Sequence, residues 1–259
     1  MAYIDLRFYS EVLGMQTEAT VIIPQRSTVG QIGVDTNAKQ GAYKCLYLLH
    51  GLGGDAMSWM RLSSIERYAL KYGICVVMPR ADKSYYCNMR HGLNYYDHIA
   101  KEVPATVCDL LNISSKREDS FIAGLSMGGY GALKIALREE GRFAAGAGLS
   151  PCGDIRSLKG FRKEFLPIFG EDELIPDEDD VLYLAEKYKD APLKPRLYMG
   201  IGTEDFLYEN ANNLRRRIEE CGYDFTYRES AGTHNWDFWD EYIQYVFEWL
   251  EEQIKGSAQ

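Results

Sequence analysis

Apolar and polar positions along this chain fall into short runs whose spacing selects their secondary structure. Residues 3–23 alternate loosely and end in Glu18-Ala-Thr-Val-Ile-Ile-Pro24, which predicts antiparallel strands closed by a proline that cannot donate to a ladder. Residues 25–41 are polar and glycine-bearing and read as a loop. Tyr43–Leu49 and Gly73–Met78 are near-continuous apolar runs of strand length, the second stopped by Pro79. Such runs mark strands buried on both faces of a mostly parallel sheet. Ser120–Leu125, Ala144–Leu149, Arg196–Ile201 and Asp224–Arg228 extend the series.

Helical spacing fills the intervals. It covers 61–71, then 95–111 with Pro104 as its start or a kink, and then the stretch carrying Ala132, Leu133, Ile135, Ala136 and Leu137. An amphipathic helix over 210–221 is ended by Gly222. The closing helix, 236–254, has Trp239, Ile243, Val246, Phe247 and Leu250 on one face. Residues 80–94 read as a polar, aromatic loop. Residues 150–192 are irregular and acidic, an excursion that is either a short lid or a solvated surface insertion. Strands alternating with helices through short loops predict an α/β fold with a mostly parallel, doubly wound sheet and flanking helices. With 259 residues and no linker or repeat, the reading is a single domain over 1–259.

Charge narrows the partner classes. A net charge of −9 argues against nucleic acid or an anionic membrane, since both need a basic face. No apolar run approaches the roughly 20 residues of a membrane span. The start, Met-Ala-Tyr-Ile-Asp-Leu-Arg, lacks a basic-then-apolar leader pattern, so a full-length chain is expected in the cytoplasm. The six cysteines show no Cys-x-x-Cys spacing, which points to reduced thiols and indicates neither a metal site nor a redox motif.

The chemistry centres on Gly124-Leu125-Ser126-Met127-Gly128, between a strand and a helix. A serine between two glycines at such a junction is the nucleophile elbow, a sharp turn that needs small neighbours. Serine is a weak nucleophile and requires a base, which requires an orienting acid. In this architecture the chain order is nucleophile, acid, histidine, and of His50, His91, His98 and His234 only His234 follows Ser126. Glu204 and Asp205, directly after a strand, are both candidates for the acid, and Asp205 is favoured. An oxyanion needs two N–H donors. One is assigned to Met127 and the other to Leu52, with Gly53 as the alternative, in the loop His50-Gly-Leu-Gly-Gly54. The aromatics Trp59, Tyr95, Tyr130, Phe206 and Trp236 lie near these motifs and are candidates for substrate contact.

These residues resemble the esterase D-type branch of the α/β-hydrolase family, and within it bacterial tributyrin esterases and acetylesterases. The resemblance runs through Tyr-Leu-Leu-His50-Gly51, Ser58-Trp59, Val-Val-Met-Pro79, Tyr95-Tyr96, Ser115-Lys-Arg117, Phe121-Ile-Ala-Gly-Leu-Ser-Met-Gly-Gly-Tyr-Gly131, Glu204-Asp-Phe-Leu-Tyr-Glu209 and Ser230-Ala-Gly-Thr-His-Asn-Trp236. It implies the α/β-hydrolase fold, the triad Ser126, Asp205 and His234, the amides of Leu52 and Met127 as oxyanion hole, and no metal or cofactor. It further implies hydrolysis of short acyl esters, of acetyl or butyryl type or from acetylated or feruloylated plant polysaccharide, and association into dimers or tetramers. The segments 150–192 and 80–94 match nothing in the pattern and leave the substrate open. A thioesterase of the S-formylglutathione type would use the same triad, and a catalytically idle fold serving as a binding module is the alternative from a different class.

Overall fold

Eight strands form one sheet in the computed structural model, which describes residues 1–25, 32, 33, 36–38 and 40–256, without the side chains of 253–256. They are β1 Ala2–Ser10, β2 Met15–Ile23, β3 Cys45–Leu49, β4 Cys75–Pro79, β5 Ser120–Leu125, β6 Ala145–Leu149, β7 Arg196–Gly202 and β8 Phe225–Ser230. The spatial order is β1-β2-β4-β3-β5-β6-β7-β8. β1 and β2 form an antiparallel pair, β2 joins β4 antiparallel, and the other pairings are parallel. The expected loop over 25–41 lies partly outside the described residues.

Every residue of β3, β4, β5 and β6 is buried, as their unbroken apolar sequences require of central parallel strands. Successive residues serve opposite faces: Cys45, Tyr47 and Leu49 enter one core layer, and Leu46 and Leu48 the other. β1 lies at the sheet edge and alternates between exposed and half-buried positions.

The helices are α1 Ser58–Leu62, α2 Ile65–Tyr72, α3 Tyr95–Asp97, α4 Val103–Leu110, α5 Met127–Arg138, α6 Phe165–Phe169, α7 Val181–Lys187, α8 Tyr208–Glu220 and α9 Trp236–Gly256. One face of the sheet is covered by α1, α2 and α9 through Trp59, Ile65, Tyr242, Val246 and Phe247. The other is covered by α4, α5, α7 and α8 through Val107, Leu133, Leu137, Leu184 and Leu214. Each large aliphatic side chain so buried contributes about 1.5–3 kcal/mol of transfer free energy.

Two helical expectations change in detail. The stretch 61–71 is two helices, broken at Ser63, whose backbone is extended. The stretch 95–111 contains a wider π-turn, His98–Glu102, between α3 and α4, directly before Pro104, whose nitrogen cannot donate, in the first turn of α4. Within 150–192, Phe165, Ile168, Phe169, Val181 and Leu184 are buried in the core of the α5 face. The excursion is therefore anchored by its own apolar residues, not laid on the surface.

Candidate active site

The site forms where β5, β7 and β8 end. Ser126 follows β5 with φ 53° and ψ −118°, a conformation that a side chain pays for in strain and that turns its hydroxyl out of the sheet. The strand and helix meet closely at this turn. A Cβ at Gly124 would collide with the Gly128 carbonyl, and one at Gly128 would come within 2.5 Å of the Leu49 carbonyl oxygen. Only glycine fits both places, so the two glycines flanking the serine are explained by contact. The Ser126 N–H donates to Leu149 O at 2.8 Å, tying the turn to the end of β6.

His234 lies in the loop after β8. Its Nε2 is 2.9 Å from Ser126 Oγ, and its Nδ1 is 2.9 and 3.0 Å from the two oxygens of Asp205. A carboxylate can only accept from Nδ1, so Nδ1 carries the proton and Nε2 is left to accept from the serine hydroxyl. Burial alone would raise the Asp205 carboxyl. The hydrogen bonds from His234, the Leu207 N–H and the Ser150 hydroxyl outweigh it and hold the group below the usual carboxylate range. Glu204, adjacent in sequence, points elsewhere: its carboxylate accepts from the Gly232 N–H at 2.5 Å, and its own N–H donates to Gly232 O at 3.0 Å. The two neighbouring acids thus have separate contacts.

Sequence reasoning passed over several side chains that arrange this group. The Trp239 ring stands edge-on to the His234 imidazole at 4.8 Å between centroids, and its Nε1–H donates to Ser150 Oγ at 3.1 Å. Ser150, at φ 45°, ends β6 as Ser126 ends β5. His50 is buried; its Nδ1–H donates to Gly51 O at 2.8 Å, while Nε2 accepts from the Ala81 N–H at 3.0 Å. Burial pushes its imidazole below the ordinary histidine range, so a neutral ring pins the start of the glycine loop. Neither the Leu52 nor the Met127 amide donates to a described residue; Met127 opens α5, where the first N–H groups have no helical acceptor.

A cavity of about 590 Å³ opens over Ser126 and His234. Leu52, Phe206 and Trp236 line it, as do Tyr85 and Arg162 from the two segments that matched no pattern. Three aromatics expected to touch substrate are placed otherwise. Trp59 is buried, with its indole N–H on Leu49 O at 3.1 Å and its ring edge-on to Trp236. Tyr130 is buried, and its hydroxyl donates to Asp179 O at 2.5 Å. Tyr95 hydrogen-bonds Asp82 and lines a separate cavity. Each has a polar partner within the fold, which is where an amphipathic ring is satisfied without substrate. Among the described residues no cluster of three or more His, Cys, Asp or Glu could hold a metal ion, and no helix is long and apolar enough to cross a membrane.

Comparison with known proteins gives the family. Residues 10–246 match the family model described as "Putative esterase". An acetyl esterase of Caldicellulosiruptor saccharolyticus is 31% identical over 265 residues, covering 97% of this chain and 99% of its own. Fluorophosphonate-binding serine hydrolase F (FphF) of Staphylococcus aureus superposes with a TM-score of 0.86 at 34% identity, covering 96% of this chain and 98% of that one. An S-formylglutathione hydrolase (FrmB) of Staphylococcus aureus superposes with a TM-score of 0.84 at 33% identity over the same shares. The chain belongs to this esterase family: it has the α/β-hydrolase fold and is a carboxylic ester hydrolase.

Proposed function

We propose that this protein is a serine esterase acting on short acyl esters through Ser126, His234 and Asp205. Ser126 Oγ attacks the ester carbonyl carbon as its proton passes to His234 Nε2. The tetrahedral oxyanion is held by the amides of Leu52 and Met127. His234 returns the proton to the leaving alcohol oxygen as the C–O bond breaks, leaving an acyl-serine. Water then attacks by the same route, and the acid and the free serine are released. Asp205 keeps the imidazole in the tautomer that accepts from serine and stabilises the imidazolium that forms. The observation that carries this reading is the unbroken contact from Asp205 through His234 to Ser126, beside two amides with no other described acceptor. Acetyl and butyryl esters are the proposed substrates, together with the acyl esters of acetylated or feruloylated plant carbohydrate. The likeness to the acetyl esterase supports the acetyl assignment.

The relative named S-formylglutathione hydrolase favours a second reading, a thioester substrate, because the same attack serves a sulfur leaving group. Rates on acetyl, butyryl, feruloyl and formylthio substrates separate the two, and a clear preference for the thioester overturns the ester assignment. All six cysteines are free thiols, which supports the cytoplasm as the compartment. We further propose that the enzyme acts as a dimer or tetramer and needs no nucleic acid or membrane partner. Ser126→Ala is expected to lower hydrolysis of 4-nitrophenyl acetate by about 10⁶ and to abolish labelling by a fluorophosphonate. An adduct on the variant, or residual turnover above a small percentage, refutes the mechanism.

A further inference from the structure

Among the described residues Arg162 is the one permanently charged side chain lining the catalytic cavity, and its guanidinium makes no hydrogen bond or ion pair with any of them. Most other arginines of the chain have such a partner, as Arg156 has in Asp177 and Asp180 and Arg196 in Asp224. Arg162 lies close enough to act on Tyr85 of that cavity: burial raises the Tyr85 hydroxyl, the guanidinium opposes that rise, and Glu164 adds to it. A second observation is independent of it. Tyr85 and Arg162 face the catalytic cavity while their chain neighbours Ser84 and Lys163 face the next one, of about 480 Å³, so segments 82–85 and 162–164 form a wall between the two. Lys83 and Lys163 also line the second cavity, and neither has an ion-pair partner among the described residues. Of the acids there, Asp82 is taken by Arg80 and Tyr95, which leaves Glu164 alone against Lys83, Arg162 and Lys163. A chain of net charge −9 therefore presents a locally cationic wall at its active site.

We infer that Arg162 is a specificity-determining residue and that the preferred substrates are esters or thioesters carrying an anionic group, a carboxylate above all. An unpaired guanidinium beside an apolar cavity has two N–H edges free for bidentate carboxylate recognition, and it is less costly to desolvate than an ammonium. Neutral esters gain nothing from it. The inference rests on the proposed serine mechanism, which delivers the ester carbonyl to Ser126 and so brings the rest of the substrate against the wall.

Two matched pairs of probes test it. Phenyl acetate and 4-acetoxybenzoate differ by a carboxylate on the leaving group. 4-Nitrophenyl butyrate and mono-4-nitrophenyl glutarate differ by one on the acyl side. The readout is the ratio of kcat/KM, anionic over neutral, in the wild type and in Arg162→Ala, Arg162→Lys and Arg162→Glu, each first verified by its melting curve. For at least one pair the ratio is expected to fall about tenfold in Arg162→Ala, to fall further in Arg162→Glu and to recover in part in Arg162→Lys. In the wild type the same ratio is expected to decline with added salt. A fall of less than about threefold in both pairs overturns the inference. Arg162→Lys, which keeps the charge and the stem, keeps the test decisive if Arg162→Glu fails to fold. Failure of the serine mechanism itself shows separately, as phosphonate labelling that survives Ser126→Ala.

Discussion

Lys134 offers the sharpest test of how the nucleophile helix is held. It lies in α5, eight residues after Ser126, and is completely buried. Its ammonium donates to Asp179 at 2.8 Å, to Cys87 Sγ at 3.0 Å and to Tyr85 O at 3.3 Å, and it sits 4.8 Å from the Tyr130 ring centroid. Burial pushes the Cys87 thiol up to about 12, against the pull of Lys134, so the sulfur is a neutral acceptor. Lys134→Met removes the charge and keeps the length of the stem. Asp179 then stays buried with Arg138, 3.9 Å away and partly solvated, as its remaining cation. Removing one partner of a buried pair costs about 3–5 kcal/mol, and the residual contact with Arg138 places this case near the lower end. For a chain of this size each kcal/mol lowers the melting temperature by roughly 2–4 °C, so a fall of about 6–12 °C is expected by calorimetry or circular dichroism. Replacing both partners, as Lys134→Met with Asp179→Leu, removes the uncompensated charge and is expected to recover most of the loss. A single variant melting within about 2 °C of wild type, or a double variant no better than the single one, refutes the reasoning.

Other outcomes follow from the site. Asp205→Asn is expected to lower kcat by about 10⁴ because the amide favours the wrong histidine tautomer, whereas Glu204→Gln leaves the tautomer alone and should change kcat far less; equal losses would show that the assignment of the two acids is wrong. Acid stability carries a definite sign. Burial keeps the folded-state values of His50 and His98 below the ordinary histidine value, so stability is full above about pH 6.5 and declines as the unfolded chain alone takes up those protons. Asp82, Asp119 and Asp205 are held below their ordinary values, and the stability they confer is lost as pH falls below about 4. Melting temperatures measured from pH 8 to pH 3 should therefore fall in two stages, and a profile flat down to pH 4 would contradict the histidine part.

Much of this fold is legible from spacing alone, because burial on both faces leaves central strands no choice of residue type. The runs that became β3, β4, β5 and β6 are apolar without interruption, and β1 shows alternation because it is an edge strand. Ser126 and His234 are legible for a different reason: the turn chemistry and chain order leave few alternatives. Roles set by contacts distant in sequence are not legible. Ser150 resembles any serine after a strand until Trp239, 89 residues later, donates to it. Tyr130 and Phe206 both stand near a motif in sequence. One is fully buried against Asp179, while the other is 68% exposed at the cavity mouth, with its ring 4.5 Å from that of His234. Proximity along the chain says nothing of direction, and direction decides whether an aromatic ring meets substrate or core. The same holds for 150–192, whose acidic composition hides the buried Phe165, Ile168 and Leu184 that anchor it.

The pair Glu204 and Asp205 shows how acids adjacent in sequence can be unequal in chemistry. The histidine loop is pressed against the end of β7 so closely that a Cβ at Gly202 would overlap the Gly232 carbonyl. At that distance the loop backbone must be satisfied by β7 and the residues just after it. Glu204 does this, accepting from the Gly232 N–H with its side chain and donating to the Gly232 carbonyl with its main chain. Asp205, buried where Glu204 is exposed, is left to hold the imidazole. One acid holds the loop at Gly232 and the next holds the imidazole, whose Nε2 lies 2.9 Å from Ser126 Oγ. An aspartate moved to position 204 would be too short for the first task, and a glutamate at 205 would push the ring toward the serine. The order Glu-Asp is a division of labour set by side-chain length.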